Sequence, residues 1–283
     1  MFNHRSLGYA FVAPGIVLLI VILGFPALAS LLQSFNLWGG SGTPGIGAYQ
    51  KLLLDPEFRQ TLLNTALFVV AVVAAHVVLG LSVALLLNLD VPGRWLFRVV
   101  AILPWTMPDI IGGLIFRFIF DTLAGGVNAV LALAGYAPVD WFGAPGLAFG
   151  TVIFAEVWRG YPYVMLILLA GLQAIPRDQY EAAEIDGVGK WKTFLHITLP
   201  NLKPMLAIAI ILDAIWECRL FGMIYGMTGG GPGYATQNLS LLVYKNYFQF
   251  FDTAYASSIA VVLAALLLVL AIPYVRMTLK EES

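Results

Sequence analysis

Residues 173–204 read QAIPRDQYEAAEIDGVGKWKTFLHITLPNLKP, a polar stretch between two apolar ones. Pro176 ends the preceding helix, and Asp178 can cap a new one, with Glu181 completing a capping box. Gly187 can take positive φ and end that helix. The predicted helix has about two turns and is unstable alone in water. It must therefore pack on something, either the membrane surface with neighbouring loop ends, or another protein that docks on it.

The same loop contains a second amphipathic stretch, Lys190–Leu199. We expect it to stop at Pro200, because proline lacks the N–H that continues a helix. The segment therefore predicts two short helical elements outside the apolar parts of the chain.

The composition indicates a membrane protein. Of the 283 residues, 60% are hydrophobic and 11% are charged, and the mean hydropathy is +0.87. Soluble domains have about 45–50% apolar and about 25% charged residues. The net charge of −1 gives no reason to expect nucleic acid as a partner, and the single Cys218 excludes an internal disulfide.

The apolar segments predict an all-α bundle of six transmembrane helices, since about 20 apolar residues cross a bilayer. The fourth and fifth segments contain charges and are weaker by hydropathy alone. The six predicted spans are 7–31, 62–87, 95–120, 147–172, 205–227 and 255–275.

The distribution of Lys and Arg predicts that both termini are cytoplasmic. With the N-terminus inside, the outer loops carry only Lys51, Arg59 and Lys245. The cytoplasmic side carries Arg5, Arg94, Arg98, Arg177, Lys190, Lys192, Lys203, Arg276 and Lys280.

The 173–204 loop also resembles a known motif. Glu181-Ala182-Ala183, Gly187, Ile197 and Leu199-Pro200 reproduce without a gap the EAA motif, EAA-x3-G-x9-I-x-LP, of permease subunits of ATP-binding-cassette (ABC) importers. In that family the short helix sits in a cleft of the ATPase subunit and carries its closure into the membrane. The resemblance implies ATPase contacts for Glu181, Ala182, Ala183, Asp186 and Gly187.

Other stretches resemble the carbohydrate-uptake branch of this family, which includes the maltose permease, and the match covers nearly the whole chain. They are Leu103–Trp105 with Pro108, Val157–Tyr163, Leu172–Pro176, Ile224–Pro232, and Asp252 with Tyr255–Ser257. The resemblance implies a type I ABC importer permease fold in a bacterial or archaeal plasma membrane, with a cytoplasmic coupling helix between spans four and five. The implied partners are a second, similar permease, two ATPase subunits, an extracytoplasmic binding protein and a sugar. The chain contains no nucleotide-binding motif, so ATP and Mg would be bound by the ATPase subunits.

Polar residues within the predicted spans are candidates for the substrate path, because intramembrane charges usually face a bundle interior or a wet cavity. Span four holds Glu156 and Arg159, and span five holds Asp213, Trp216 and Glu217. Carboxylates, Arg and aromatic rings together suit the hydroxyls and the apolar face of a sugar. The alternative is that Glu156–Arg159 and similar pairs are ion pairs that hold helices together.

The family resemblance adds Gly160 and Tyr163, which match the maltose permease in residue type within its Gly-Tyr-Pro-Tyr stretch, and Tyr163 is the strongest single candidate. His76 and His196 show no metal-ligand spacing, so we expect core or surface histidines and no metal site. Asp109, in span three, is either structural or part of the path.

The sequence therefore predicts the permease subunit of an ABC importer for a disaccharide or oligosaccharide of the trehalose or maltose kind, without an enzymatic activity of its own. Glycerol phosphate or another polar solute remains open as the substrate. Two rivals are a secondary transporter that uses Glu156, Asp213 or Glu217 as proton carriers, and a membrane enzyme that uses Asp213 and Glu217 as paired carboxylates.

Overall fold

A computed structural model describes residues 4–39, 42–90 and 92–281, which contain helices, turns and loops but no strand. The longer helices are α1 (His4–Leu19), α2 (Phe25–Ser34), α3 (Gly47–Leu54), α4 (Pro56–Leu87), α5 (Arg94–Ile102), α6 (Asp109–Ile119), α7 (Gly126–Leu133) and α8 (Pro145–Gln173). They are followed by α9 (Arg177–Ile185), α10 (Lys190–Thr193), α11 (Leu199–Cys218), α12 (Gly222–Met227), α13 (Leu239–Tyr244) and α14 (Thr253–Glu281).

Among the described residues, five helices are long and apolar enough to cross a membrane. They are Val12–Ser34, Pro56–Leu87, Pro145–Gln173, Lys190–Cys218 and Thr253–Met277. A sixth crossing is available if Arg94–Thr106 and Asp109–Ile119 form one broken span, with a bend of 94° between them. The bend falls at Met107 and Pro108, between the two helices.

The fifth predicted span differs from the observed helix. The helix begins at Lys190 and passes through Pro200, where the sequence predicted a stop, and it ends at Cys218. A π-helical turn, Phe194–Thr198, lies just before this proline. In a π-helical turn the backbone hydrogen bonds join residues five apart instead of four, and this change leaves one carbonyl without an N–H donor. Pro200 has no N–H to donate, so it fits at this point and the helix continues through it. The rest of the predicted span forms the separate helix α12.

The chain divides into two compact units, Met1–Arg59 with Leu242–Ala265, and Gln60–Leu241 with Leu266–Ser283. The first unit is joined by polar contacts between its two segments. Lys51 pairs with Asp252 at 2.6 Å, and the Tyr255 hydroxyl donates to the Asp55 carboxylate.

The second unit has an apolar core between α4, α8 and α11. Its fully buried members include Ala84, Val164, Leu168, Leu202 and Ala209. Around α8 the chain also buries charged side chains, and those define the candidate site.

Glycines let α12 pack closely against α6. A Cβ on Gly113 would lie 2.7 Å from the Met223 carbonyl oxygen, and a Cβ on Gly226 would lie 2.8 Å from that of Ile110. This close approach fixes the start of α6, where Asp109 lies, beside the polar centre of the unit.

Candidate functional site

The loop with the EAA motif forms a short helix, α9, that ends as the sequence predicted. Gly187 takes φ of +67°, and its N–H donates to the Glu184 carbonyl while the Val188 N–H donates to that of Ala183. This is the Schellman arrangement, in which a residue of positive φ satisfies the last carbonyls of a helix. Any side chain at position 187 would strain this ending.

The predicted capping box at the start of α9 is wrong. The helix begins at Arg177 with Pro176 as its N-cap, and no side chain caps it. Asp178 is the second residue of the helix, where its negative charge interacts favourably with the positive end of the helix dipole without making a capping hydrogen bond. Proline fixes its own φ, and the helix starts two residues earlier than an Asp178 cap requires.

The five residues with a predicted coupling role fall on different faces of α9. Ala183 is buried inside this chain, at 7% exposure, whereas Glu181, Ala182, Asp186 and Gly187 are exposed. Ala183 therefore packs against its own subunit, and its predicted ATPase contact stays a prediction.

A hydrogen bond ties α9 to the π-helical turn Phe194–Thr198 of the long helix Lys190–Cys218. The Tyr180 hydroxyl lies 3.1 Å from the Thr198 hydroxyl. A force on the exposed face of α9 would thus reach the helix that carries Asp213 and Glu217.

Arg159 is the centre of a buried charge cluster in the second unit. Its Nε donates to Glu156 Oε2 at 3.1 Å, and its Nη2 donates to Glu156 Oε1. Its Nη1 lies 2.9 Å from Asp109 Oδ1. Glu156 is fully buried and Arg159 is 2% exposed. Two carboxylates of its own chain therefore engage all three nitrogens of the guanidinium.

His76 forms the second part of the cluster. Its Nδ1 lies 2.9 Å from Asp213 Oδ2, and its Nε2 lies 3.2 Å from the Glu156 carbonyl oxygen. Both neighbours are acceptors, so the ring satisfies both only when both nitrogens carry protons. A Cβ on Gly160 would lie 2.4 Å from His76 Cε1, so a glycine there makes room for the ring.

Glu217 leaves one oxygen of the cluster without a partner. It is 1% exposed, and its Oε2 makes no hydrogen bond within the described part of the chain. Ligand atoms of His76, Asp213 and Glu217 all lie within 4.8 Å of one another, a spacing that can hold a metal ion. Both His76 nitrogens already face acceptors, so a metal would have to displace one of these bonds.

Three aromatic rings cover the cluster on one side. The Tyr163 ring lies 6.0 Å from Trp105 and 6.1 Å from Trp216, centroid to centroid. Trp216 is 40% exposed, and Arg219 lies over its ring at 5.9 Å. The rings and charged groups leave a space of about 10 Å³, room for about one water. A sugar ring therefore meets the exposed edge of this site and not its interior.

The structure brings together all seven residues with a predicted substrate role: Glu156, Arg159, Gly160, Tyr163, Asp213, Trp216 and Glu217. It adds His76 and Trp105, and it brings in Asp109, which the sequence left open as structural or part of the path. The sequence predicted a core or surface histidine for His76, and the residue is buried. Its partner Asp213 is 137 residues away, so no local spacing could reveal the pair.

The family description "Binding-protein-dependent transport system inner membrane component" matches residues 76–277. The chain is 37% identical over 279 residues to the sulfoquinovosyl glycerol transport system permease protein SmoG of Agrobacterium fabrum, covering 97% of this chain and 91% of the relative. It is also 37% identical over 279 residues to the trehalose/maltose transport system permease protein MalF of Thermococcus litoralis, covering 97% and 94%.

A solved structure shares the fold. A chain of a bacterial ABC transporter involved in the import of the acidic polysaccharide alginate aligns with a TM-score of 0.83 at 20% identity, covering 97% of this chain and 96% of that one. With the apolar helices and the match over residues 76–277, the chain is a multi-pass membrane protein that belongs to the family of inner-membrane components of binding-protein-dependent transport systems.

Proposed function

We propose that this chain is one of two membrane-spanning subunits of a sugar importer that is driven by ATP hydrolysis in partner subunits. The observation that carries the proposal is α9, a helix that is anchored to its own chain through Ala183 and Tyr180 while Glu181 and Ala182 of its EAA motif stay exposed. The relatives named for sugar transport support the substrate class.

The complete importer would contain a second permease of this family, two ATPase subunits below and an extracytoplasmic binding protein above. ATP and Mg would be bound by the ATPase subunits. Both termini would be cytoplasmic, which places α9 on the ATPase side. Family membership favours this assembly over ion-coupled transport by the chain alone.

In this mechanism, closure of the ATPase subunits pushes on the exposed face of α9. The force passes through the Tyr180–Thr198 contact into the helix from Lys190 to Cys218. That helix carries Asp213, Trp216 and Glu217, so movement of its base shifts the wall of the substrate site.

Substituting the exposed Ala182 with Arg tests the docking step. Because Ala182 contacts solvent, the variant should insert and fold normally, but a bulky charged side chain should block close approach of the ATPase. We expect ATP-dependent uptake to be lost and co-purification of the ATPase subunits to weaken. The matched control is Ala134→Arg, the same change at an exposed position after α7. Normal uptake by Ala182→Arg would refute the coupling role.

We further propose that the substrate is a neutral sugar. Arg159 is already paired with Glu156 and Asp109, and Asp109, with its side chain 37% exposed, leaves a carboxylate at the edge of the site that a sugar can reach. The cluster has four carboxyl groups, Asp109, Glu156, Asp213 and Glu217, against one guanidinium, that of Arg159, and the imidazole of His76. Such a surplus of acceptors suits sugar hydroxyls, which donate, and disfavours sulfonates or phosphates, glycerol phosphate included.

The half-buried ring of Trp105 and the exposed ring of Trp216 would bind the apolar face of the sugar, with Asp109 at 37% exposure accepting from hydroxyls. Glu156, Arg159 and His76 would hold these groups in place from behind.

Uptake by the reconstituted importer, with its cognate binding protein, tests the substrate class. Radiolabelled trehalose and maltose are the neutral arms, and sulfoquinovosyl glycerol is the anionic arm. We expect uptake of a neutral sugar, reduced by Trp216→Leu but unaffected by Trp38→Leu, an exposed tryptophan of the first unit. Uptake of the anionic glycoside alone would overturn the assignment.

A further inference from the structure

A polar cavity of about 470 Å³ lies beside α9, away from the substrate site. Its lining includes three arginines, Arg94 and Arg98 of α5 and Arg177 of α9, but only one carboxylate, Asp90. The cavity therefore has a surplus of positive charge and suits an anion.

The arginines of this cavity have donors to spare. Arg94 Nη1 donates to Asp90 at 2.6 Å, and Arg177 lies 4.0 Å from the same carboxylate. The Nη2 of Arg98 donates a hydrogen bond to the Leu87 carbonyl oxygen at 3.2 Å, but the buried Nε of Arg98 makes no hydrogen bond within the described residues. An N–H that is removed from water normally has a partner. An acceptor that enters the cavity would supply one.

The residues between the two arginines of α5 show what kind of anion fits. Trp95, Leu96 and Phe97 are 67%, 50% and 57% exposed. Exposed apolar side chains on a membrane protein face lipid tails, and tryptophan is enriched at the boundary with the head groups. The cavity thus lies where an apolar surface meets a basic one, as at known head-group sites between helices.

We propose that this cavity binds the phosphate group of an anionic phospholipid. Arg98 Nε, Arg94 and Arg177 donate to the phosphate oxygens, in the geometry that guanidinium groups favour for phosphate. The acyl chains lie along Trp95 and Phe97. Because Arg177 is the first residue of α9, a bound lipid would fasten the base of the coupling helix and affect how it transmits force.

Thermal unfolding of the purified full chain in neutral detergent tests the site. The probes are short-chain phosphatidylglycerol, short-chain phosphatidylcholine and inorganic phosphate. We expect a saturable rise in unfolding temperature with phosphatidylglycerol and none with phosphatidylcholine. The exposed pair Arg94→Gln/Arg177→Gln should fold normally and bind phosphatidylglycerol about tenfold or more weakly, since hydrogen bonds to charged groups are lost.

A matched control is Arg276→Gln, an exposed arginine of the same unit outside the cavity, which should bind as the wild type does. Arg98→Lys tests the buried donor: it keeps the charge but loses Nε, and we expect weaker binding without loss of fold.

Three results would overturn the proposal. Equal weakening by Arg276→Gln would mean general surface attraction. An equal shift with inorganic phosphate would mean a soluble anion as the occupant. Loss of the phosphatidylglycerol effect once ATPase subunits are bound would mean that acidic groups of the partner occupy the cavity. None of these results bears on sugar import, which is measured separately.

Discussion

Arg159 offers the sharpest test of how the polar centre is held together. The side chain is 2% exposed and satisfies both oxygens of Glu156, which is fully buried, as well as one oxygen of Asp109. Arg159→Met keeps much of the side-chain volume but leaves Glu156 charged and without its cation. Breaking a buried ion pair in this way costs about 3–5 kcal/mol of folding stability. Asp109, at 37% exposure, can regain water and should add little.

The double variant Glu156→Leu/Arg159→Met removes both buried charges. Replacing a buried pair by apolar residues is often neutral or stabilising, so we expect the double variant to regain most of the stability that Arg159→Met loses. His76 keeps its contact at this position, because it bonds to the backbone carbonyl of residue 156 and not to the side chain.

The measurement is the free energy of unfolding in detergent micelles, titrated with SDS and followed by tryptophan fluorescence, for the wild type, both single variants and the double. Residues in one network should show a coupling energy well above the additivity error of about 0.5 kcal/mol. If the effects of Glu156→Leu and Arg159→Met simply add, the ion pair does not stabilise the cluster and the reasoning fails.

Three further predictions address other parts of the chain. Gly160→Ala should displace the His76 ring and lower the free energy of unfolding by about 1–3 kcal/mol for overpacking, measured in the same titration; Gly146→Ala, with open space around it, should not. Asn128→Ala should loosen the 121–141 loop and raise its hydrogen exchange, because the buried amide serves four backbone and side-chain partners there; unchanged exchange would contradict this. The backbone N–H groups of Ala124 and Leu123 lower the pKa of Asp121. The stability that the ionised carboxylate gives this segment should therefore be fully present above the usual aspartate pKa and be lost as pH falls through the lowered pKa. Hydrogen exchange of the segment should rise at acidic pH in the wild type, and Asp121→Asn should show no such rise.

Much of the architecture followed from the sequence alone, because it depends on local or additive properties. Hydropathy summed over about 20 residues identifies a membrane helix without knowledge of its neighbours, and the observed helices overlap the predicted spans. Gly187 likewise predicted its helix end, since only glycine takes the required φ without strain. The EAA spacing predicted the family before any comparison.

Tertiary structure decided which polar groups meet. The contact of His76 with Asp213, and of Arg159 with Asp109, joins residues far apart in the chain, and neither pair has a local pattern. Helix packing also decided that Ala183 is buried while Ala182 beside it is exposed, because the face that α9 turns inward depends on what it packs against. The helix through Pro200 also departs from a local prediction. The sequence predicted a stop at this proline, but the π-helical turn just before it lets the helix continue.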